Sequence, residues 1–451
     1  MEQYLSYKAS SIPWLKAIPE HWAELRFKYI AHQITGGEEN ELPKLGLENI
    51  ESGTGEYIPS ESNFEGKGVR FETCDILYGK LRPYLQKVWK ASFSGNAVGD
   101  FFVFRSADIS NSNFLKYFLL SEPFTEMSNG ATEGAKMPRV GIDFINNLSC
   151  PVPPALEQKE IASWLDDKCL RIKIVISKVD DKIAQLQRLR KAIIANAVFR
   201  GINFRGTLRE SGLGWMPQIP SHWETIRLKR LGRFFKGLTF TKSDLVEEGH
   251  KVVSYGQVHS KSNSGVSLSE ELIRYVPDSI VEKGEKAKVN KGSFIFADTS
   301  EDLEGCGNCI YNDSSEILYA GYHTIILQMN DLADNRYLAY LFLTDEWRSQ
   351  IRNSVNGVKV YSITQAIMNQ CDVILPPKAE QTEIADYLDD KCMKIDNLIA
   401  KYEKQKELLA RYRKAIITQA VTGQICVCSD EVLKLKDYED VQNPARMAAE
   451  P

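Results

Sequence analysis

This 451-residue chain contains no run of about 18 apolar residues, which excludes the usual signature of a membrane-spanning helix. Its start, Met1-Glu2-Gln3-Tyr4-Leu5-Ser6, lacks the charged-then-apolar pattern of an export signal, so a cytoplasmic location is expected. Nine cysteines form no disulfide framework and read as free thiols. Cys306-Gly307-Asn308-Cys309 is a lone Cys-x-x-Cys; a zinc site needs two more ligands at matching spacing, and none stands out. Neither sign of charge dominates: 56 Lys and Arg against 60 Asp and Glu leave a net charge of −4. That balance gives no support to a polyanion partner and does not exclude one, because a phosphate backbone responds to a local face.

Catalytic signatures are also missing. There is no Gly-x-Gly-x-x-Gly after a strand and no Walker loop, hence no familiar phosphate cradle. The Asn/Asp-Pro-Pro-aromatic tetrapeptide with which amino-methyltransferases hold a flipped base is absent, since Pro153-Pro154 is followed by Ala155 and Pro376-Pro377 by Lys378. Glu65-Gly66-Lys67 has the spacing of half a nuclease metal site without a partner carboxylate, and reads as a glycine loop. His21 and His222 sit in matching places beside Trp22 and Trp223, and read as packing and hydrogen-bonding elements rather than bases. No cofactor, metal or catalytic residue is expected.

What the chain does contain is written twice. Pro153-Pro154, Glu157-Gln158, Glu160-Ile161-Ala162, Leu165-Asp166-Asp167-Lys168-Cys169 and Arg190-Lys191-Ala192-Ile193-Ile194 return as Pro376-Pro377, Glu380-Gln381, Glu383-Ile384-Ala385, Leu388-Asp389-Asp390-Lys391-Cys392 and Arg413-Lys414-Ala415-Ile416-Ile417. The offset is constant, 376 − 153 = 223. Upstream, Trp14, Ile18-Pro19, His21-Trp22 and Arg26 return as Trp215, Ile219-Pro220, His222-Trp223 and Arg227, at an offset of 219 − 18 = 201. The second half is therefore longer between these landmarks by 223 − 201 = 22 residues. Such a long repeat fixes the architecture before any local detail.

Within each copy apolar residues recur every three or four positions. The first seam holds Ile172, Ile176, Val179, Ile183, Leu186 and Arg190; the second holds Ile395, Ile399, Tyr402, Leu409 and Arg413. This heptad pattern predicts a rod of about 33 residues and roughly 50 Å. So narrow a stripe is best buried by the other copy, in an antiparallel coiled coil related by a pseudo-twofold axis. Two independent surface helices would not explain the equal lengths. Asp166 or Asp167, and Asp389 or Asp390, are placed to cap the rod starts.

The halves resolve into segments: residues 1–152 a first globular domain, 153–203 its helix, 204–375 a second domain, 376–425 its helix, and 426–451 a tail expected to be mobile. Each domain reads as mixed α and β. Asp75–Tyr78, Ser293–Phe296, Asp100–Arg105 and His323–Gln328 have strand patterns, and Phe114–Leu120 and Tyr337–Leu343 are short amphipathic helices. The predicted class is α+β, with two mixed domains separated by two long helices. A kept framework with diverged contents implies one kind of task on two targets.

Basic and aromatic residues gather in the diverged parts. Lys80, Arg82, Tyr84 and Lys87 follow a strand; Lys136 and Arg139 lie in a Gly-rich turn with Lys359 and Tyr361 as counterparts. In the second domain Thr299, Ser300 and Glu301, within Asp298–Asp302, replace the Lys-Leu-Arg loop. The exchange suits base-edge reading, because Arg and Lys match guanine, Glu and Asp accept from cytosine, and Ser and Thr match either. These residues are the candidate DNA contacts.

The order of parts resembles the specificity subunit of Type I restriction-modification systems. The resemblance rests on the Trp-x-x-x-Ile-Pro-x-His-Trp opening, a variable domain, the Pro-Pro-x-x-Glu-Gln-x-x-Ile-Ala helix with its heptad rod, and the repetition of all three. It covers about residues 10 to 425. Asp75–Leu85 and Ala297–Gly307 look like segments of two groups of that family's target-recognition domains. The resemblance implies that each domain reads half of a split, asymmetric site in double-stranded DNA while the rods act as a ruler. It also implies two methyltransferase subunits that methylate adenine and two ATP-driven translocating endonuclease subunits as partners, with no activity in this chain. The charged ends of the rods, Arg190 and Arg413 with their neighbours, are the candidate docking site for the methyltransferase. Two other classes compete: a stand-alone duplicated DNA-binding regulator, and an enzyme with a cryptic site.

Overall fold

The structure, a computed structural model, describes residues 3–37, 42–60, 64, 66–282, 284–357 and 359–428. Glu65 of the glycine loop and most of the expected tail, from residue 429 onward, lie outside the described residues. The chain divides into two compact units, one formed by Met1–Asp180 with Glu403–Pro451 and the other by Asp181–Tyr402. The boundaries fall inside the two long helices, so each helix gives one half of its length to each unit.

In the first unit, an antiparallel sheet has the order Ala31–Ile34, Phe101–Ser106, Ile76–Gly79, Val88–Lys90. Phe102, Phe104, Ile76, Tyr78 and Val88 turn one face of it onto a core completed by the helix Ser112–Leu120. Alternate residues Leu77, Val103 and Trp89 face a smaller core under a three-stranded sheet of Lys44–Leu45, Gly95–Ala97 and Val69–Phe71. Both faces are covered, which explains why these strands read as continuous apolar runs.

The second unit repeats the plan. Its antiparallel sheet has the order Gly232–Lys236, Thr324–Met329, Phe294–Ala297, Cys309–Tyr311, with the helix Asn335–Phe342 on one face. The smaller sheet gains a strand, Arg274–Val276, paired with His250–Val253. That strand lies in the stretch where the second half is longer. Cys306 and Cys309 are buried in this unit's main core. Burial pushes the Cys309 thiol up to about 12, so both cysteines behave as small apolar residues.

The long helices run Ala155–Arg200 and Lys378–Val421, 46 and 44 residues, or about 69 and 66 Å at the standard rise. Both exceed the length expected from the heptads. The additional turns carry Ile161, Ala162 and Leu165, or Ile384, Ala385 and Leu388, into the domain cores, so their apolar stripe is broader than a coiled-coil seam. Pro153-Pro154 and Pro376-Pro377, which lack backbone N–H groups, precede the first turns.

The aspartates expected as caps consequently lie well inside the helices, and that expectation is corrected. Asp166 Oδ1 accepts from Tyr117 Oη (2.6 Å) and Lys116 Nζ (3.2 Å). Asp389 accepts from Tyr340 Oη (2.8 Å) and Arg336 (2.9 Å). These carboxylates fasten the long helices to the short helices Ser112–Leu120 and Asn335–Phe342.

Inside each unit the helix halves pair in opposite directions. In the first, Asp180 meets Lys406 at 2.5 Å and the Cys428 thiol approaches the Glu157 carbonyl. In the second, Lys182 lies over the Tyr402 ring and Arg190 bonds Asp396 at 3.0 Å. Ile172, Val179, Ile183 and Ile395 are buried, while Ile176, Leu186, Ile399, Tyr402 and Leu409 are half-buried.

One joint recurs where opening segment and helix meet. Glu157, 2% exposed, accepts from Tyr4 Oη (2.5 Å) and Trp22 Nε1 (3.1 Å) and pairs with His21 Nε2 (2.8 Å). Glu380 accepts from Trp223 Nε1 (3.2 Å) and pairs with His222 Nε2 (2.9 Å). Gln158 accepts from Asn111 N and donates to Pro153 O; Gln381 does the same with Asp334 N and Pro376 O. The end of the other helix closes each joint with a glycine of positive φ, Gly423 (70°) or Gly201 (78°). A Cβ on Gly423 would lie 2.4 Å from Pro19 Cδ. Residues 426–428, expected to begin the tail, pack on the first core.

Glu157→Ala would strand two buried donors, whereas His222 beside Glu380 is half exposed to water. We predict a loss of about 3 kcal/mol for Glu157→Ala and about 1 kcal/mol for Glu380→Ala. Chemical denaturation of the full chain measures both, and equal losses would contradict the assignment.

Candidate nucleic-acid interface

At the end of the first unit's main sheet, three segments meet through backbone bonds. Lys80 N donates to Asp100 O (2.9 Å), Val140 N to Lys80 O (3.1 Å) and Arg82 N to Pro138 O (2.8 Å), and Leu81 forms a bridge with Arg139. The two candidate loops, Lys80–Lys87 and Lys136–Arg139, thus become one surface. Its residues are in different states. Arg82 (φ 51°) and Lys136 are exposed and have no side-chain partner among the described residues, and Tyr84 is 54% exposed.

Others are engaged internally. Arg139 grips Asp100 with two bonds of 2.9 Å, which hold its guanidinium charged, and Lys80 stands 4.0 Å from the same carboxylate. Lys87, expected on the outer face, donates to the Ile50 carbonyl. Its sequence neighbours Gln86 and Val88 are buried, which brings the lysine stem along the domain surface.

The second unit builds the same frame. Asp298 N donates to His323 O (3.1 Å), Ile363 N to Asp298 O (2.7 Å), and Thr299–Ser300 pairs with Tyr361–Ser362. The expected loop is therefore partly a two-stranded ladder. Ser300 is buried and donates to Asp302 O (2.7 Å), Thr299 and Tyr361 are half-buried, and Glu301 and Lys359 are exposed. Beside this ladder lies an open cleft of 750 Å³ edged by Tyr255, His259, Glu301, Asp302, Glu304 and His323. His259 Nε2 bonds Thr299 O at 2.8 Å, and its Nδ1 bonds Asn308, which also accepts from the half-buried Arg348. Burial lowers the Arg348 pKa.

Sequence reasoning missed Asp100, Tyr255, His259 and His323. A usable signal was the repeat itself, since 323 − 100 = 223 is the framework offset. It also missed a second cleft in this unit, 660 Å³, where Lys229, Arg230, Arg233, Lys286 and Lys288 gather beside Glu285. That cleft includes Met329 and Gln328, at the far end of the strand from Thr324.

At the docking positions, Arg190 is bound to Asp396, and Arg413 donates to Thr54 O (2.7 Å). Arg188, Lys191, Arg411 and Lys414 are exposed. Among the described residues no helix is long and apolar enough to cross a membrane.

Two α+β units whose main sheets share one order, each holding part of two long helices and each ending in a three-segment platform with different side chains, define a duplicated two-domain fold. The fold has a solved counterpart, a chain from a structure described as the structural basis underlying complex assembly and conformational transition of the type I R-M system. The TM-score is 0.69 at 16% identity, over 90% of this chain and 99% of that one. Residues 220–408 match the family model for the Type I restriction modification DNA specificity domain. The Type I restriction enzyme MjaVIII specificity subunit of Methanocaldococcus jannaschii is 23% identical over 431 residues, 91% of this chain and 94% of that protein. The EcoDI specificity subunit of Escherichia coli is 29% identical over 197 residues, 42% of this chain and 43% of that protein. The chain is thus similar over nearly its full length to a type I restriction enzyme specificity subunit, and residues 220–408 carry the match to the DNA specificity domain of that family.

Arg82→Ala should relax preference at one base of one half-site, at a cost of about 1–3 kcal/mol. Lys87→Ala should leave sequence preference intact and lower only stability. Binding competition with single-base variants of the target duplex measures both; a uniform loss for Arg82→Ala would assign it to phosphate.

Proposed function

We propose that this chain is the DNA-reading, non-catalytic subunit of its complex, each unit reading one half of a bipartite, asymmetric site in double-stranded DNA. The observation that carries the reading is the pair of platforms, alike in backbone and unlike in side chains. Backbone bonds hold the loops whatever the side chains are, so base preference changes without loss of fold. Arg82 and Lys136 offer donors of the kind that suit guanine O6 and N7, whereas Glu301 offers an acceptor for an exocyclic amino group. Lys80, Tyr84 and Arg139 border the first set; Thr299, Lys359 and Tyr361 border the second.

The long helices, at about 66–69 Å, exceed one turn of B-DNA, roughly 34–36 Å. They would act as the ruler that leaves unread base pairs between the halves. Two methyltransferase subunits would dock on the helices and two translocating endonuclease subunits join them, and the assembly would work in the cytoplasm. Methylome sequencing of cells carrying this chain with its methyltransferase should reveal one split, asymmetric adenine-methylated motif. A continuous motif, or methylation independent of this chain, would reject the reading.

Because Arg190 and Arg413 are occupied within the chain, docking is better tested at their exposed neighbours. The combined reversal Arg188→Glu, Lys191→Glu, Arg411→Glu and Lys414→Glu should abolish co-purification with the methyltransferase subunit. An unchanged complex would leave these charges as solvated helix surface.

A further inference from the structure

The two platforms correspond through two backbone bonds and a β-bridge. Lys80 takes the place of Asp298, because each donates its N–H to the second strand (Asp100 O at 2.9 Å, His323 O at 3.1 Å) and accepts from the third segment (Val140 N at 3.1 Å, Ile363 N at 2.7 Å). Asp100 therefore takes the place of His323, and Arg139 that of Ser362. Across this correspondence the carboxylate changes sides. In the first unit the cation Lys80 faces the anion Asp100 at 4.0 Å; in the second the anion Asp298 faces His323 Nδ1 at 3.2 Å.

We propose that His323 is a specificity-determining residue of the second unit and that Asp298 is its positioning residue. The inference rests on the DNA-reading function proposed above. Three independent features support it. His323 has φ 54°, a left-handed backbone that side chains rarely adopt and that recurs at functional sites. Its side chain is 57% exposed at the edge of the acceptor-lined cleft. The rings of Tyr255 and Tyr322 meet it edge-on at 5.6 and 6.0 Å, which limits its rotation.

The chemistry of the reading follows from the partner. A carboxylate only accepts, so Asp298 fixes Nδ1 as the donor, and in the neutral ring Nε2 is left as an acceptor. With Glu301 nearby on the cleft wall, the acceptor matches a base that presents an amino group in the major groove, cytosine N4 or adenine N6. In the first unit the place of Ser362 is taken by Arg139, which closes on Asp100 and covers it. The equivalent position there presents a guanidinium instead of an imidazole.

The test uses the full chain in its methyltransferase complex, with the methylome as readout. His323→Asn is the first variant, because Asn tolerates left-handed backbone. Asp298→Asn is the second, and His250→Ala removes another exposed His–Asp pair, at 2.7 Å from Asp278, as the control. We expect His323→Asn to relax discrimination about tenfold at one base of one half-site. Asp298→Asn should relax the same base, and His250→Ala should leave the motif unchanged. An unaltered motif in both platform variants, or an even loss at every base, overturns the inference. Failure of the underlying reading looks different, since wild-type complex would then yield no split motif at all.

Discussion

A carboxylate at the start of each long helix, buried at Glu157 and half-buried at Glu380, is the interaction on which the rest is hung. Glu157 sits among Tyr4, His21 and Trp22, and Glu380 beside His222 and Trp223. An ionised carboxylate in such a place is tolerable only when donors surround it, and the buried indole N–H needs an acceptor in turn. Neither side can be kept alone, which is why His-Trp and Pro-Pro-x-x-Glu recur together more than 100 residues apart in each half. Because the glycine that ends the other helix lies against the same joint, residues from both ends of the sequence meet there. Tyr7 Oη donates to Gly423 O at 3.1 Å. The first unit is thus completed by residues beyond 402.

The joint also explains where divergence is permitted. Glu157, Gln158 and Asp166 bond the groups that hold the helix, and their twins Glu380, Gln381 and Asp389 likewise. At the outer ends of the sheets the side-chain pairs differ between the units, Arg139 with Asp100 in one and His323 with Asp298 in the other. There the loops are fastened by main-chain bonds, so a Lys in one unit and an Asp in the other occupy one frame. The extra strand Arg274–Val276 adds to an edge without disturbing the order of the main sheet. Retention and variation therefore follow from which groups, side chain or backbone, carry the bonds.

The same division decides what could be read in advance. The repeat, the strands Ile76–Gly79 and Phe294–Ala297, and the short helices were legible because burial on both faces leaves apolar runs. Helix starts were not, since the first ten residues pack on a domain and break the heptad rhythm; Asp166 looked like a cap and proved to be a Tyr117 acceptor. Of the platform, the exposed Arg82 and Lys136 were evident from composition. The occupation of Lys87 by Ile50 O and of Arg139 by Asp100 was not, because both partners are distant in sequence. His323 gave no local signal; its meaning comes from correspondence with Asp100.

Charge pairing at the platforms bears on how a chain of net charge −4 could serve a DNA-reading subunit. A basic face draws any duplex by counterion release, without regard to sequence. Asp100 lies against both Lys80 and Arg139, and so offsets part of that pull where bases would be read, while Asp298 engages the His323 ring. A further group of cations in the second unit, Lys229, Arg230 and Arg233, lies in a separate cleft. A side chain held by an opposite charge presents a directed donor or acceptor with little net field. On the proposed function the platforms thereby favour discrimination over attraction, and affinity for the phosphate backbone falls to other surfaces of the assembly.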